Sequence, residues 1–165
     1  MRLPSIAYTL YVDLDGVMAD LDKFVTKLTG QHLSNDDVKD AAIWDVLNAR
    51  KEDGLPTFSV LDKLPDADVL WNYIEKYEPN ILTATGRDYE YGKREKTKWV
   101  ERNLSGYDEI IVVQRSRDKA AYAAPRHILI DDRMQSIGPW RRAGGIGILH
   151  KSAEETCNLL KTLGL

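Results

Sequence analysis

The most constraining feature of the chain is an apolar run near its start that ends abruptly in acidic residues. Residues 6–12 read Ile-Ala-Tyr-Thr-Leu-Tyr-Val, and Asp13 and Asp15 follow. A strand of this kind, apolar on both faces, is typical of parallel sheets that carry helices on each side. Shorter runs of the same type span residues 80–83, 109–113, 127–130 and 145–149. Because helical patterns separate most of these runs, we predict an α/β fold with a parallel sheet.

Apolar residues spaced three and four apart predict helices between the strands. The predicted helices span residues 18–30, 69–77, 93–103 and 152–163, the last of them beginning at a Ser152–Glu155 capping box. Residues 31–64 lack a regular pattern and contain only short helical pieces, such as 38–47. We therefore interpret this stretch as an insertion between the first strand and the rest of the α/β core.

Composition excludes several classes of protein. The 165 residues include 23 Lys and Arg against 26 Asp and Glu, so no basic face for polymeric nucleic acid is expected. No run approaches the roughly 20 apolar residues of a membrane span, and the N-terminus lacks the pattern of a signal peptide. The single cysteine, Cys157, excludes an intrachain disulfide and fits a reducing compartment, so we expect a cytoplasmic protein. The three histidines lie far apart in the sequence, so a metal would need oxygen ligands.

Chemically active side chains follow several of the predicted strands. In open parallel sheets, ligands bind beyond the carboxyl ends of the strands, so groups at these positions converge on one edge. The groups there are carboxylates, a hydroxyl and an ammonium, supplied by Asp13, Asp15, Thr83, Lys119, Asp131 and Asp132. Carboxylates that face one another repel unless a divalent cation lies among them, and oxygen ligands without His or Cys suit Mg²⁺. We therefore predict a magnesium site at this edge.

A magnesium site of this composition suits reactions at phosphate. The cation lets an anionic carboxylate approach an anionic phosphate, while Thr83 and Lys119 hold the other phosphate oxygens. Asp15, two residues beyond Asp13, is placed to act as general acid and later to activate water. Taken singly, the motifs have structural explanations: the Asp-Leu-Asp-Gly motif as a turn, Thr83 as a strand-end hydroxyl and Lys119 as a solvated lysine. Their occurrence together in this order favours the catalytic interpretation.

The same residues resemble the four motifs of the haloacid dehalogenase-like hydrolase superfamily. Asp13-Leu14-Asp15-Gly16-Val17, Thr83, Lys119 and Asp131-Asp132 match these motifs in order. Within the superfamily, the chain is most similar to the 5'(3')-deoxyribonucleotidase family. The segments that carry this closer resemblance are 12–20, 58–65, 95–101, 117–119 and 129–133.

The resemblance implies a Rossmann-like three-layer core with a small helical cap inserted after the first strand. The core would comprise residues 1–17 and 79–165, and the cap residues 18–78. The resemblance also implies that Asp13 is the nucleophile, which forms an aspartyl-phosphate. Asp15 would then be the general acid and base.

Roles for the remaining site residues follow from the same resemblance. Mg²⁺ would be held by the Asp13 carboxylate, the backbone carbonyl of Asp15 and Asp131, with Asp132 ordering a water molecule on the metal. Thr83 and Lys119 would bind the phosphoryl group. The residues that approach the rest of the substrate would be Phe58, Lys96 and Arg117.

The activity implied is that of a magnesium-dependent phosphomonoesterase, a 5'(3')-deoxyribonucleotidase that hydrolyses nucleoside monophosphates. We expect a monomer or homodimer that acts on a small phosphate ester and binds neither a membrane nor polymeric nucleic acid. Phe58 and Trp44 are candidates for stacking on a base, and packing within the cap is the other interpretation for Trp44.

Two alternatives to this activity stay open. The first is a phosphatase or phosphomutase of the same superfamily that acts on a sugar phosphate, because the core motifs are shared and the cap sets specificity. The second is a phospho-accepting receiver domain, which also gathers acids, a threonine and a lysine at strand ends. A receiver has its acidic pair first, whereas here the pair Asp131-Asp132 comes last.

Overall fold

The computed structural model describes residues 7–34 and 37–165, without the side chains of residues 37–39. The strands comprise Thr9–Val12 (β1), Asn80–Ala84 (β2), Ile110–Val113 (β3), His127–Asp131 (β4) and Ile146–Leu149 (β5). They form one sheet in the order β3-β2-β1-β4-β5, and every neighbouring pair is parallel. The predicted parallel sheet is therefore confirmed. Ile6, where the first strand is predicted to begin, lies outside the described residues.

The apolar run of β1 is buried on both faces of the sheet. Leu10 and Val12 belong to the larger hydrophobic cluster. Tyr11 belongs to a smaller cluster that includes Trp140, with the two ring centroids 5.3 Å apart. Because successive side chains of a strand point to opposite faces, β1 contributes to an apolar layer on each side. Helices cover both sides of the sheet, which makes the fold a three-layer α/β fold of the Rossmann-like type.

Six α-helices lie in the described part of the chain. They comprise Leu21–Thr29 (α1), Asp37–Glu52 (α2), Ala67–Ile74 (α3), Tyr89–Asn103 (α4), Met134–Arg142 (α5) and Ala153–Thr162 (α6). Gly30 ends α1 in the left-handed conformation, with a φ of 74°. The Ser152 side chain accepts a hydrogen bond from the Glu155 N–H at 3.2 Å and so caps α6. None of these helices is both long and apolar enough to cross a bilayer.

The helices that match predicted ones have bounds shifted by up to four residues, and two helices differ more than this. The α2 helix is longer than the predicted helical piece 38–47. The α5 helix has no predicted counterpart, because Gly138 and Pro139 stand in its middle and are typical helix breakers. Burial of Ile137 and Trp140 in the smaller hydrophobic cluster explains why this segment is helical despite its local sequence.

The segment between β1 and β2 contains α1, α2 and α3. The first two helices contact each other, whereas α3 packs on α6. A hydrogen bond of 2.6 Å from the Tyr73 hydroxyl to the Leu165 carbonyl also ties α3 to the C-terminal end of the chain. The division into a core of residues 1–17 and 79–165 and a cap of residues 18–78 stays a prediction. The α3 helix, inside the predicted cap, lies with the helices that cover the sheet.

Close packing of α4 on the loop after β2 gives a test of the fold. A Cβ atom at Gly92 would lie 2.6 Å from Thr85 Cβ and 2.8 Å from Thr85 Cγ2. Overpacking of this kind costs about 1–3 kcal/mol, which exceeds the helix preference of alanine over glycine of about 1 kcal/mol. We expect Gly92→Ala to lower the midpoint of thermal unfolding. A midpoint at or above that of the wild type would contradict this packing.

Candidate active site

The acidic side chains at the ends of β1 and β4 lie together. Carboxylate oxygens of Asp13, Asp131 and Asp132 lie within 4.8 Å of one another. The strands β1 and β4 are neighbours, and a hydrogen bond of 3.0 Å from the Asp13 N–H to the Ile130 carbonyl extends their pairing. The chain runs outward from β1 through β2 to β3 and then returns to β4 on the other side of β1. The strand order therefore reverses between β1 and β4, and open α/β sheets bind ligands at such a point.

Lys119 lies between two of these carboxylates and is almost fully buried. Its Nζ atom is 2.9 Å from Asp13 Oδ1 and 2.6 Å from Asp131 Oδ2. Burial by itself lowers the pKa of this lysine, but the two carboxylates outweigh that effect and raise the pKa above its ordinary value. The pKa of Asp131 is also raised, by burial and by the nearby Asp13, against the opposing effect of Lys119. Lys119 is therefore a fixed positive charge beside the carboxylates.

Among the described residues, Asp132 is the member of the acidic group with a buried carboxylate oxygen that lacks a partner. Its Oδ1 atom is buried and accepts no hydrogen bond from any described residue. Burial, followed by repulsion from Asp13, Asp131 and Asp15, raises the pKa of Asp132 to about 8. A divalent cation among the three carboxylates would offset their repulsion and would also give Asp132 Oδ1 a partner. The donor set, which consists of oxygen atoms, fits Mg²⁺.

Gly16 brings the loop after β1 against Asp132. Its φ is 80°, in the left-handed region that favours glycine. A Cβ atom at this position would lie 1.9 Å from Asp132 Oδ2, so no side chain fits here. The glycine of the Asp-Leu-Asp-Gly motif therefore lets the Asp13 loop approach the acidic pair closely.

A second buried lysine joins Asp15, the predicted general acid, to Thr83, which is predicted to bind phosphate. Lys96, on α4, forms an ion pair with Asp15 and donates a hydrogen bond of 3.3 Å to Thr83 Oγ1. Its Nζ atom also lies 4.7 Å from the centroid of the Phe58 ring, a cation–π contact. The structure thus brings Lys96 directly beside Asp15 and Thr83, and Phe58 beside Lys96; both Lys96 and Phe58 are predicted to approach substrate.

Three side chains of α4 hold the segment that contains Phe58. Ser59 donates a hydrogen bond of 2.6 Å from Oγ to Glu95, and its carbonyl accepts one of 3.0 Å from Arg102. Trp99 donates a hydrogen bond of 2.8 Å to the Leu61 carbonyl. The three α4 residues, Glu95, Trp99 and Arg102, share one helix face, and we refer to them as the α4 clamp. The clamp fixes residues 59–61, and with them the adjoining Phe58, against α4.

Most of the predicted site residues line one cavity of about 640 Å³. Those in the lining are Asp13, Asp15, Phe58, Lys96, Lys119 and Asp132. Thr83 and Asp131 are fully buried and contact lining residues through Lys96 and Lys119. Trp44 is half-buried, lines the cavity and also packs on the larger hydrophobic cluster. Its position is therefore consistent both with stacking on a base and with packing within the cap.

Arg117 is the predicted site residue that the structure does not bring to the cavity. It is exposed and absent from the cavity lining, whereas Arg115 is part of the lining. Arg115 comes two residues after the end of β3, before the 3₁₀ turn Ser116–Tyr122 begins. Its position just after the end of β3 could have identified Arg115 as a cavity residue from the sequence, because ligands bind beyond the carboxyl ends of parallel strands. Arg87, after β2, lines the cavity in the same way.

The cavity also contains two buried hydroxyls, those of Thr57 and Ser136, that the sequence pattern does not single out. Neither residue belongs to a motif. Ser136 lies in the first turn of α5, the helix that the sequence does not predict, and Thr57 lies in the irregular insertion. No local signal marks either hydroxyl as part of a site, since only the tertiary fold places them in the lining.

Metal binding can be tested by thermal unfolding. We expect Mg²⁺ to raise the unfolding midpoint, because a ligand present at about 100 times its Kd stabilises the native state by about 2.7 kcal/mol. Asp132→Asn should remove most of this shift. Asp45→Asn, which changes an acid elsewhere in the same cavity lining, should retain it. Equal shifts in both variants, or none in the wild type, would contradict a cation site at the three carboxylates.

The α4 clamp can be tested by a double-mutant cycle. Ser59→Ala removes the hydroxyl donor of the buried Glu95 carboxylate, which should lower the free energy of unfolding by about 1–3 kcal/mol. In a Glu95→Gln background, the same change should cost clearly less, since no buried charge is left without its donor. Chemical denaturation of the four proteins gives the coupling energy. Strict additivity would show that Ser59 and Glu95 do not interact.

No family model matches the sequence, and no curated protein matches it significantly. Solved structures share its fold. A haloacid dehalogenase-like family hydrolase from Xanthomonas campestris superposes with a TM-score of 0.61 at 12% identity, covering 99% of this chain and 94% of that one. L-2-haloacid dehalogenase from Xanthobacter autotrophicus gives 0.58 at 13% identity, with 95% and 83% covered.

A putative β-phosphoglucomutase from Thermotoga maritima is also similar, with a TM-score of 0.52 at 14% identity and 94% and 99% of the two chains covered. At these identities the comparisons establish the fold alone. The chain therefore has the α/β fold found in haloacid dehalogenase-like hydrolases.

Proposed function

We propose that the protein is a magnesium-dependent phosphomonoesterase in which Asp13 takes up the phosphoryl group. The observation that carries this proposal is the position of Lys119, which contacts both Asp13 and Asp131 inside a buried acidic group. Such an arrangement supports the proposal because a carboxylate that could act as nucleophile lies beside a fixed positive charge and beside carboxylates that could hold a cation. The shared fold with solved structures described as hydrolases supports the same class of enzyme.

The first step forms a bond between an Asp13 carboxylate oxygen and the phosphorus atom of the substrate. The bond from phosphorus to the leaving oxygen breaks, and Asp15 supplies the proton that this oxygen needs. Bound Mg²⁺ supplies positive charge that offsets the repulsion between the carboxylate and the phosphate. Asp13, Asp131 and Asp132 are the residues that would hold it.

Lys119, Thr83 and Lys96 bind the phosphoryl oxygens during this transfer. Lys119 and Lys96 are both almost fully buried, so their charges act on the transition state with little screening by water. Lys96 also pairs with Asp15 in the structure. When the ammonium of Lys96 turns to a phosphoryl oxygen, Asp15 leaves the ion pair and takes up a proton from water, which it then gives to the leaving oxygen.

The second step removes the phosphoryl group from Asp13. Asp15, now deprotonated, takes a proton from a water molecule, and the water oxygen attacks the phosphorus atom. The bond between phosphorus and the Asp13 oxygen breaks, inorganic phosphate leaves, and Asp13 returns as a free carboxylate. Asp15 carries a proton again and is ready for the next cycle.

For the substrate, we propose a nucleoside monophosphate, which makes the enzyme a 5'(3')-deoxyribonucleotidase. The size of the cavity, about 640 Å³, suits a ligand of this kind. Phe58 and Trp44 in its lining offer aromatic surfaces on which a base can stack. The motif-level resemblance of the segments around Phe58 and Lys96 supports the same substrate class.

A phosphatase or phosphomutase that acts on a sugar phosphate is the second candidate. The observation in its favour is the shared fold with a solved structure described as a putative β-phosphoglucomutase. The mechanism at Asp13 would be the same, and the difference lies in the leaving group or acceptor. A receiver domain, by contrast, would retain its phosphate and would not release it over many turnovers.

Substitution of the nucleophile tests the mechanism. We expect Asp13→Asn to reduce phosphate release to below about a tenth of the wild-type rate, because an amide is a poor nucleophile. Lys119→Ala should lower kcat by about 10²–10³, as expected when one charge that stabilises the transition state is removed. Circular dichroism of both variants checks that they fold. Activity of Asp13→Asn near the wild-type level would exclude Asp13 as the phosphoryl acceptor.

The substrate class is tested by a panel of phosphate esters. Phosphate release would be measured with Mg²⁺ for ribo- and deoxyribonucleoside 5'- and 3'-monophosphates, for sugar phosphates and for phenyl phosphate. We expect the highest kcat/KM for a deoxyribonucleoside monophosphate, and loss of all activity with EDTA. Turnover of sugar phosphates without nucleotides would favour the second candidate. Isomerisation of a sugar phosphate without release of phosphate would identify a phosphomutase.

A further inference from the structure

Buried side-chain oxygens that lack a hydrogen-bond partner cluster in one place. Among the described residues, these oxygens belong to Thr57, Asp132 and Ser136. All three residues line the cavity that contains Asp13. A buried polar atom without a partner costs free energy, and native proteins keep few of them. Their shared location indicates that a bound molecule completes the hydrogen bonding of this cavity.

Two of the three oxygens belong to the segment that begins with the acidic pair at the end of β4. Asp132 belongs to that pair, and Ser136 lies four residues further on, where its N–H donates a hydrogen bond of 3.0 Å to the Arg133 carbonyl. A cation and a phosphoryl group bound at Asp13 account for unsatisfied oxygens in this part of the cavity. Thr57 is different because it comes from the segment between β1 and β2, not from a strand end.

Thr57 is held at a position beyond the phosphoryl site. It directly precedes Phe58, whose ring lies 4.7 Å from Lys96 Nζ, and Lys96 in turn contacts Thr83. Contacts lead from Thr83 through Lys96 to Phe58, and Thr57 is the chain neighbour of Phe58. Since Thr83 and Lys119 are assigned to the phosphoryl group, we assign the ligand group at Thr57 to the leaving group.

Within residues 7–34 and 37–165, no group forms a hydrogen bond with the Thr57 hydroxyl. The residue is 1% exposed, so bulk water does not solvate it. Its side chain does not cap the 3₁₀ turn that begins at Phe58. The α4 clamp fixes the adjoining residues 59–61, which restricts any shift of Thr57 toward another acceptor. The hydroxyl is thus preorganised for a ligand atom.

We propose that Thr57 Oγ1 forms a hydrogen bond with a polar atom of the substrate's leaving group and thereby determines specificity. The proposal rests on the proposed phosphomonoesterase function and adds a residue that selects the leaving group. A hydroxyl both donates and accepts, so Thr57 selects a polar leaving group over an apolar one and does not distinguish a donor from an acceptor. An ester with an apolar leaving group leaves this hydroxyl unsatisfied, which is the basis for discrimination.

The test compares Thr57→Val, which keeps the shape of the side chain without its hydroxyl, with Thr57→Ser, which keeps the hydroxyl. For each protein, kcat/KM is measured with the best polar substrate of the panel and with phenyl phosphate, whose leaving group has an apolar ring. We expect Thr57→Val to lower the ratio of the two values about tenfold. Thr57→Ser should retain the wild-type ratio, because the hydrogen bond is still formed.

Thermal unfolding of the two variants completes the test. Thr57→Val should unfold at or above the wild-type temperature, since it removes an unsatisfied buried hydroxyl. Loss of folding in this variant would show that the hydroxyl has a partner within the protein, and would overturn the proposal. An unchanged ratio, even with both activities reduced, would overturn it as well and would indicate a structural role. Absence of phosphate release from every ester by the wild type would instead refute the proposed function and, with it, this inference.

Discussion

A buried lysine shared by two carboxylates holds the functional edge of this sheet together. Lys119, from the 3₁₀ turn after β3, contacts Asp13 after β1 and Asp131 at the end of β4. Two buried carboxylates at this separation would repel each other strongly without it. The lysine offsets part of that charge, and Asp132 adds a further acid that it does not contact. The remaining negative charge fits a divalent cation, and the proposed anionic substrate would bind beside that cation.

The second lysine links this edge to the insertion that covers it. Lys96 contacts Asp15 and Thr83 on one side and the Phe58 ring on the other. Because Lys96 and the α4 clamp belong to the same helix, α4 positions both Lys96 and the wall of the cavity beside it. In the proposed enzyme, a change in the packing of α4 should therefore affect both specificity and catalysis.

The sequence predicted those parts of the structure whose signals are local. Strands that are apolar on both faces, and the acids that follow them, identified the parallel sheet and the residues that meet at its edge. The α5 helix was not predicted, because Gly138 and Pro139 oppose helix formation locally and only burial of Trp140 against the sheet outweighs them. Arg117 was chosen by similarity to a motif, whereas the turn after β3 brings Arg115 to the cavity. The role of Thr57 depends on what surrounds its hydroxyl, which no sequence pattern reveals.

Transfer of the phosphoryl group to Asp13 is the central claim, and its most direct test is to trap the acyl phosphate. Acid quenching during turnover, followed by borohydride reduction, converts an aspartyl-phosphate to homoserine, which peptide mass spectrometry locates. The account predicts homoserine at position 13 in the presence of substrate and Mg²⁺, and unmodified aspartate without substrate. Homoserine at another aspartate, or sustained turnover with position 13 never modified, would contradict it.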